Sequence, residues 1–309
     1  MAPSRSTITR RALLSAAALL PLAGCSNNAA PSTSTSTSTS TPTSAAPVTE
    51  HDDDRLAELE RKFDARLGVY VLDTGSGATI VHRPDERFAF CSTFKGVAAA
   101  AVLHRNPLSH LDTVVRYTEA DLMEHVPVTG QHVATGMKIR DLCDAAIRHS
   151  DGTAGNLLVR DLGGPAQLTD FVRGLGDTVT RMDRIEPAIT EATPGDPRDT
   201  TSPRAFGTTY QKIVLGPTLP DDKRAFLRDL LERNTTGDQR IRAGVPQGWV
   251  VADKTGTGSY GTLNDIAVVW PPNAAPLIIS IMSSKAAKGA KADQAVIAEA
   301  AARVVAALT

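Results

Sequence analysis

Strand-like segments lie at both ends of the chain and helix-like segments lie between them, and this arrangement constrains the fold most. Five short runs rich in β-branched and other apolar residues, each bounded by turn-forming residues, predict strands at 69–72, 78–81, 249–253, 265–270 and 277–282. Helical spacing predicts terminal helices over about 52–63 and 293–308, and further helices in the middle. The sequence therefore predicts an α/β (α+β) fold, with one antiparallel sheet built from both chain ends, flanking helices and an inserted all-helical lobe.

The first 25 residues have the pattern of an export signal. Arg5, Arg10 and Arg11 precede an apolar run that is too short to span a bilayer. The run closes with Leu22-Ala23-Gly24-Cys25, which resembles a bacterial lipobox and predicts lipidation of Cys25. A small-residue cleavage site with an incidental cysteine is the alternative, and the arginine pair leaves twin-arginine and Sec export both open. We expect an exported protein, either a cell-membrane lipoprotein or a secreted one.

Composition separates a spacer from a globular domain. Residues 26–50 are rich in Ser and Thr with almost no large apolar side chains, which predicts a flexible spacer before a domain at 51–309. A formal net charge of −1 and a pI near 6.7 argue against a nucleic-acid or membrane-surface binder. Cys91 and Cys143 are expected to pack as small apolar groups, and no spacing of Cys and His suggests a metal site.

Four separated motifs carry the chemistry. Ser92 and Lys95 lie one helical turn apart at the start of an apolar helix, which is the geometry of a serine nucleophile beside a basic amine. Three motifs follow along the chain: Ser150-Asp151, Arg184-Ile185-Glu186-Pro187 and Lys254-Thr255-Gly256. Each motif alone is a weak signal, but their order and long spacing are specific.

This set of motifs resembles a secreted class A serine β-lactamase of the actinomycete, Streptomyces-like type, and the resemblance extends from about residue 58 to residue 309. It implies that 51–309 is a catalytic domain with an α/β lobe (about 51–88 and 236–309), a helical lobe (about 89–235) and the site between them. It implies hydrolysis of β-lactam antibiotics through a serine acyl-enzyme, and thus antibiotic resistance, without a cofactor. The expected partner is a small β-lactam, and nothing suggests more than a monomer.

The resemblance also assigns catalytic roles. Ser92 is the nucleophile, and Ser150 relays a proton to the β-lactam nitrogen. Glu186 lies on an Ω-shaped loop and activates the water that hydrolyses the acyl-enzyme. Whether Lys95 or Glu186 removes the Ser92 proton stays open. Asp151 is expected to orient its own loop.

Substrate-binding roles come from the same resemblance. Lys254 and Thr255 are expected at the end of a strand and close to the substrate carboxylate, and Gly256 is expected to permit close approach of substrate. The N–H groups of Ser92 and Thr257 would form an oxyanion hole. Leu263 stands where many relatives carry a carboxylate-binding arginine. Arg240 is either a substitute for that arginine or an ordinary surface residue.

The chain departs from the family pattern at three positions. Gly152 stands where the second motif usually has asparagine, which removes a hydrogen-bonding group from the cleft. Thr190 stands where an asparagine usually helps to hold the deacylating water. His125 stands at the cleft edge in place of an aromatic ring. Arg184 and Asp199 keep the pair that closes the loop neck.

Two other functions fit parts of the sequence. A penicillin-binding DD-peptidase or a slow-turnover β-lactam sensor would need the serine, the lysine and the Lys254 motif, but not Glu186. An extracellular solute-binding lipoprotein would fit the lipobox and spacer, but such proteins usually show repeated βαβ patterning, which the helix-rich middle lacks.

Overall fold

The computed structural model of the protein describes residues 50–52 and 54–308. The predicted signal segment, Cys25 and residues 26–49 of the predicted spacer therefore lie outside the described residues, whereas Glu50, the last residue of that spacer, is part of a strand. Among the helices described, none combines the length and the apolar character that crossing a membrane requires.

Six strands form the central sheet, and two short strand pairs lie outside it. The described strands are β1 Glu50–Asp52, β2 Arg66–Asp73, β3 Thr79–His82, β4 Phe88–Ala89, β5 Val114–Val115, β6 Met137–Lys138, β7 Thr200–Thr201, β8 Val250–Gly258, β9 Thr262–Trp270 and β10 Leu277–Ser284. The sheet order is β1-β3-β2-β10-β9-β8, and all its pairs are antiparallel except β1 with β3. The predicted sheet from both chain ends is confirmed, although its last three strands are longer than the sequence predicts.

Nine helices are described, some packed on this sheet and others on one another. They are α1 Asp54–Phe63, α2 Phe94–Arg105, α3 Ile139–Arg148, α4 Gly152–Leu162, α5 Pro165–Gly174, α6 Pro203–Val214, α7 Asp221–Glu232, α8 Ile241–Gly244 and α9 Ala295–Leu308. Ser202 caps α6 by accepting a hydrogen bond from the Ala205 N–H, as its Ser-Pro start predicts. The two terminal helices are confirmed.

Two apolar cores hold the layers together. In the first, Leu56 of α1 and Val304 of α9 pack with inward-facing side chains of the sheet such as Val69 and Ile279. In the second, helices α3 to α7 join the same apolar core as α2, whose residues from Phe94 to Leu103 are all buried. Because α2 is apolar on every side, it occupies the centre of its lobe.

Helix α6 differs from the sequence-based division into lobes. It falls within 89–235, yet it packs on the sheet, because Phe206 and Tyr210 join the same apolar core as Ile278 of β10. Cys91 and Cys143 are both buried and free, as expected.

The fold brings four segments together at one place. These are the 3₁₀ turn Cys91–Thr93 before α2, the α3–α4 turn, the chain from 181 to 200, and β8. We call residues 181–200 the Glu186 loop. β4 pairs with β7 at the end of this loop, which ties the approach to Ser92 to the loop neck.

Candidate active site

The 3₁₀ turn before α2 presents Ser92 beside Lys95. Lys95 Nζ donates to Ser92 Oγ at 3.0 Å and to the Ser150 carbonyl at 2.7 Å. The Lys95 side chain is completely buried, and this burial lowers its pKa, while the adjacent Glu186 carboxylate opposes the shift. The predicted pairing of hydroxyl and amine is therefore present.

The α3–α4 turn supplies Ser150 in a positive-φ conformation (φ 54°). Its Oγ accepts a hydrogen bond from Lys254 Nζ at 3.1 Å, so the second and fourth motifs meet across the cleft. Asp151 is buried and faces away from the cleft: it caps α4 through the Ala154 N–H at 2.9 Å and accepts from Thr129 N–H at 2.9 Å. These contacts are those of a residue that orients its loop.

The Glu186 loop carries its carboxylate into direct contact with both groups. Glu186 Oε1 lies 3.1 Å from Ser92 Oγ and 2.7 Å from Lys95 Nζ. The Glu186 backbone is held on both sides by Asn156 of α4, which accepts from its N–H at 3.0 Å and donates to its carbonyl at 3.0 Å. The sequence analysis missed Asn156; its only signal was its place one turn beyond Gly152, on the same face of α4.

The neck of the Glu186 loop is closed by the predicted pair. Arg184 Nε contacts Asp199 Oδ2 at 2.6 Å, and Asp199 Oδ1 accepts from the N–H groups of Asp183 and Arg184 at 2.8 and 2.9 Å. Asp199 is almost fully buried, so its charge depends on these partners.

Strand β8 carries Lys254, Thr255, Gly256 and Thr257 within its length, not at its end as predicted. The strand runs on to Gly258 because β9 pairs with it throughout. Lys254 is fully buried, and this burial, assisted by the charge of Lys95, lowers its pKa to about 7.

Gly256 is required by the fold itself, in addition to the role predicted for it. A Cβ at this position would lie 2.7 Å from the Phe90 carbonyl oxygen, so the absent side chain lets β8 approach the chain that leads into Ser92. This close approach is between two parts of the protein, and the approach of substrate to Gly256 stays a prediction.

Arg240 is a buried residue of the cleft, so the surface alternative is wrong. Its Nη2 donates to Thr257 Oγ1 at 2.8 Å and its Nη1 donates to the Gly256 carbonyl at 2.8 Å. Nε donates to Gln294 Oε1 at 2.9 Å. Burial lowers the pKa of Arg240, and the carboxylates of Asp253 and Asp265 counter the shift. Gln294, just before α9, was not found from the sequence because nothing in its local pattern marks it.

The three departures from the family pattern all line or border the cleft. His125 is exposed at its edge, with Nε2 3.1 Å from the His149 carbonyl oxygen. Thr190 Oγ1 donates to the Pro187 carbonyl at 2.8 Å, so its hydroxyl proton is committed. A Cβ on Gly152 would lie 2.5 Å from Glu186 Oε2, so this glycine makes room for the carboxylate in addition to removing a polar group.

These residues enclose a cleft of about 590 Å³, a size that suits a small molecule. Ser92, Ser150, Glu186, Arg240, Thr255 and Thr257 all line it. Thr236, which the sequence analysis also missed, lines the cleft and shares a hydrogen bond of 2.5 Å with Thr255 Oγ1. In the part of the chain that the structure describes, no group of three or more His, Cys, Asp or Glu residues could hold a metal ion.

Comparisons with known proteins agree with this geometry. A profile of the β-lactamase enzyme family matches residues 53–308. A β-lactamase of Mycobacterium tuberculosis (strain ATCC 25618 / H37Rv) is 52% identical over 298 residues, covering 94% of this chain and 95% of the relative.

Solved structures agree as well. The β-lactamase from Streptomyces albus G matches with a TM-score of 0.81 at 46% identity, covering 83% of this chain and 98% of that one. An ancestral (GNCA) class A β-lactamase matches with a TM-score of 0.79 at 52% identity, covering 82% and 98%. The fold is that of class A β-lactamases, and the chain belongs to the β-lactamase enzyme family. It is accordingly a hydrolase that acts on β-lactams and confers resistance to them.

Proposed function

We propose that this hydrolase works through an acyl-enzyme on Ser92, with Glu186 driving its hydrolysis. One observation carries the proposal: Ser92 Oγ is within hydrogen-bond distance of both Lys95 Nζ at 3.0 Å and Glu186 Oε1 at 3.1 Å. The nucleophile therefore contacts both a carboxylate that can take its proton and an amine that can stabilise the oxygen left behind.

In acylation, Glu186 is the proposed acceptor of the Ser92 proton. A charged Lys95 amine has only donors, so it donates to Ser92 Oγ, and the Ser92 hydroxyl is left to donate to the Glu186 carboxylate. Ser92 Oγ then attacks the lactam carbonyl, and the developing oxyanion accepts hydrogen bonds from the N–H groups of Ser92 and Thr257. Lys95 stabilises the alkoxide character of Ser92 as it forms.

Ring opening uses the Ser150 hydroxyl. Ser150 lies between Lys254 and the Lys95 side of the cleft, because Lys254 Nζ contacts its Oγ and Lys95 Nζ contacts its carbonyl. Ser150 donates its proton to the lactam nitrogen as the C–N bond breaks. The proton that Glu186 took from Ser92 replaces it by way of the Lys95 and Lys254 amines, so that Glu186 is a carboxylate again before deacylation. Lys254, Thr255 and Arg240 bind the substrate carboxylate, since charge-assisted hydrogen bonds are the strong polar contacts available.

In deacylation, Glu186 takes a proton from a water that attacks the acyl carbonyl, and that proton passes to Ser92 Oγ as the ester breaks. Thr190 can only accept a hydrogen bond from this water, because its own proton is donated to Pro187. Gly152 leaves the Glu186 carboxylate room to approach Ser92. Two of the three departures from the family pattern, Thr190 and Gly152, therefore act on Glu186 and its water.

The test combines a chromogenic cephalosporin with intact-mass analysis. Ser92→Ala should lose hydrolysis and show no acyl adduct. Glu186→Ala should acylate more slowly and then accumulate the adduct, because loss of the carboxylate lowers the pKa of buried Lys95 further and lets its neutral amine take the Ser92 proton. An adduct on Ser92→Ala at wild-type levels would reassign the nucleophile. Unchanged steady-state turnover in Glu186→Ala would place the deacylating base elsewhere.

The Glu186 geometry also disfavours the DD-peptidase and slow-turnover alternatives. Such proteins need the serine, lysine and Lys254 motif but no carboxylate in contact with the serine, whereas Glu186 lies 3.1 Å from Ser92 Oγ here. A stable adduct on the wild-type protein would support those alternatives instead.

The signal pattern supports export and anchoring. We propose that Cys25 carries lipid and that residues 26–50 tether a monomeric catalytic domain to the cell membrane. Cys25→Ser should move the enzyme from the membrane fraction to the medium and remove the acyl mass. A wild-type N-terminus that starts elsewhere without modification would show a secreted enzyme, and sedimentation of the domain tests the monomer.

A further inference from the structure

A second cavity lies apart from the catalytic cleft and is larger than it. It has a volume of about 870 Å³ and lies between the last turn of α1, strand β4, the second half of the Glu186 loop and the chain after β10. We call it the rear cavity. It shares no lining residue with the catalytic cleft, and its size is that of a site for a drug-sized molecule.

The inner wall of the rear cavity is apolar. Phe88 and Ile189 are buried and line it, together with Ala192 and the two prolines Pro194 and Pro197. The guanidinium of Arg66 stacks on the Phe88 ring at 3.8 Å from its centroid. A ligand with a flat apolar body could therefore pack against this wall.

Cations exceed acids around the rear cavity once ion pairs are discounted. Arg87 donates only to neutral oxygens, those of Val179 and Thr200, at 2.9 Å. Lys285 Nζ donates to the Phe63 carbonyl at 2.6 Å. Arg61 is exposed and has no hydrogen bond or ion pair to any described residue. These three cations have no carboxylate partner within the described chain.

The acids of the rear cavity are mostly neutralised. Three carboxylates have arginine partners: Glu60 with Arg83 at 2.9 Å, Glu86 with Arg66 at 2.6 Å, and Asp196 with Arg198 at 2.7 Å. Asp64 is the one lining carboxylate without a described ion pair. Three unpaired cations against one unpaired carboxylate leave a positive surplus in a chain whose formal net charge is −1.

We propose that the rear cavity binds a small organic anion with an aromatic body and a carboxylate or sulfonate group. The apolar wall accepts the body, and Arg61, Arg87 and Lys285 face the charged group. This site goes beyond the proposed function, because none of these residues takes part in the reaction.

Occupancy of the rear cavity should be linked to the catalytic loop. Arg184 and Ile189, on either side of Glu186 in sequence, both line the cavity. A ligand in the rear cavity binds the Glu186 loop only in its present position, because a displaced loop would no longer form the cavity wall. Binding therefore stabilises this position of the loop by mass action. Binding should therefore raise the melting temperature and slow amide exchange in 192–198.

The test uses 1-anilinonaphthalene-8-sulfonate as the probe on the folded domain, with Kd obtained from fluorescence titration. Ala286→Trp fills the mouth of the rear cavity, and Ser259→Trp makes the same insertion at the catalytic cleft. Probe binding should be lost in Ala286→Trp and kept in Ser259→Trp. Near-UV circular dichroism of each variant excludes binding by unfolded chains.

A charge reversal separates this site from general surface binding. Arg61→Glu should weaken the probe at least about tenfold, the size of one lost hydrogen bond to a charged group. Lys288→Glu makes the same change at an exposed cation that does not line the cavity, and it should leave Kd within twofold. The proposal is overturned if Arg61→Glu and Ala286→Trp both bind like wild type, or if Ser259→Trp alone removes binding. Neither result would bear on Ser92 chemistry.

Discussion

Helix α2 and the Glu186 loop place Lys95 and Glu186 beside the same atom, Ser92 Oγ, but the two segments are held in position by different interactions. Lys95 is carried by a helix that is apolar on all sides and buried throughout its first ten residues. Glu186 is carried by a chain with no regular element beyond one 3₁₀ turn, and this chain is held mainly by hydrogen bonds and ion pairs. The two supports differ in what can disturb them.

Packing distributes the support of α2 over many contacts, whereas the loop depends on a few polar atoms. A conservative change in the α2 core removes only part of that packing. By contrast, loss of one partner of a buried charge leaves that charge uncompensated. Changes in the loop should therefore slow deacylation more than acylation, because Lys95 stays beside Ser92 when Glu186 is displaced.

The largest effect should come from Asp199→Asn at the loop neck. Asparagine has nearly the same shape, but it lacks the charge that pairs with Arg184. Its amide NH₂ also cannot accept the hydrogen bonds that Asp199 now accepts from the backbone N–H groups of Asp183 and Arg184 and from the Arg184 guanidinium, so at least one of these bonds is lost. We expect kcat to fall roughly 100-fold through slow deacylation, because small displacements of a catalytic group are costly. Stopped-flow kinetics with intact-mass analysis would measure acylation and deacylation separately.

An equal loss in both steps of Asp199→Asn would contradict the contrast between the two supports. A matched control is Asp144→Asn, which alters a half-buried ion pair of α3 with Arg148 at 3.1 Å, and neither residue lines the catalytic cleft. That variant should keep both rates.

Arg240→Ala extends the comparison to the substrate end of the cleft. Arg240 is buried and joins Thr257 to Gln294, and the Leu263 side chain cannot provide its charge. We expect kcat/KM for penicillins to fall by an amount that corresponds to about 1.5–3 kcal/mol of lost transition-state stabilisation, the range for a hydrogen bond to a charged group. Lysine should rescue part of the loss, because it keeps charge but not the planar fork. A kcat/KM within error of wild type would show that Lys254 and Thr255 suffice.

Gly152→Ala tests the space around Glu186 directly. The new Cβ would meet Glu186 Oε2 at 2.5 Å, so the carboxylate has to move. We expect deacylation to slow on the order of tenfold, less than in Asp199→Asn because only a side chain is displaced. Gly174→Ala, at the end of α5 with no atom within 4 Å of the added Cβ, is the matched control. Equal rates in both variants would mean that Glu186 adapts freely.

The sequence predicted the groups that carry local signatures. Ser92 with Lys95, Ser150, Glu186 and the Lys254 motif are short patterns, and the structure brings them together. The strands at both chain ends were equally readable, because alternating apolar residues and turn formers are local features.

What the sequence did not predict depends on distant contacts. Asn156 and Gln294 are ordinary polar residues until the fold places them against Glu186 and Arg240. The contact of Gly256 with Phe90 was not predicted because Phe90 is remote in sequence, and the contact exists only after β8 is in place. The burial of Arg240 likewise follows from the packing of β8 and β9, which no local pattern encodes.

Lys254 should give the reaction a pH limit on the alkaline side. Its pKa in the folded protein is about 7, below its usual value of ~10.4, so its charge is lost as pH rises through about 7. We expect kcat/KM for penicillins to fall over that range, since this parameter reports groups of the free enzyme. Lys254→Arg should retain charge and move the limb to higher pH, and an unmoved limb would assign it to another group.

The lowered pKa of Lys254 should affect stability and activity in opposite directions as pH rises. Between about pH 7 and the unfolded pKa, the unfolded chain binds a proton at Lys254 that the folded chain does not. This residue's contribution to the free energy of unfolding therefore rises with pH across that window. Urea unfolding of wild type and Lys254→Met at several pH values would isolate the contribution, and equal pH slopes would contradict it.

The smallest effect should come from Arg198→Ala, which shows that charge alone does not make a loop contact important. Arg198 pairs with Asp196 two residues away at 2.7 Å, and its hydrogen bonds lower the pKa of Asp196 to about 2. Both groups are close to solvent, however, so water replaces the lost partner, unlike at buried Asp199. We expect kcat within about twofold of wild type and a melting temperature within about 1 °C. A loss that approaches that of Asp199→Asn would mean that the outer half of the loop supports Glu186 as strongly as its neck does.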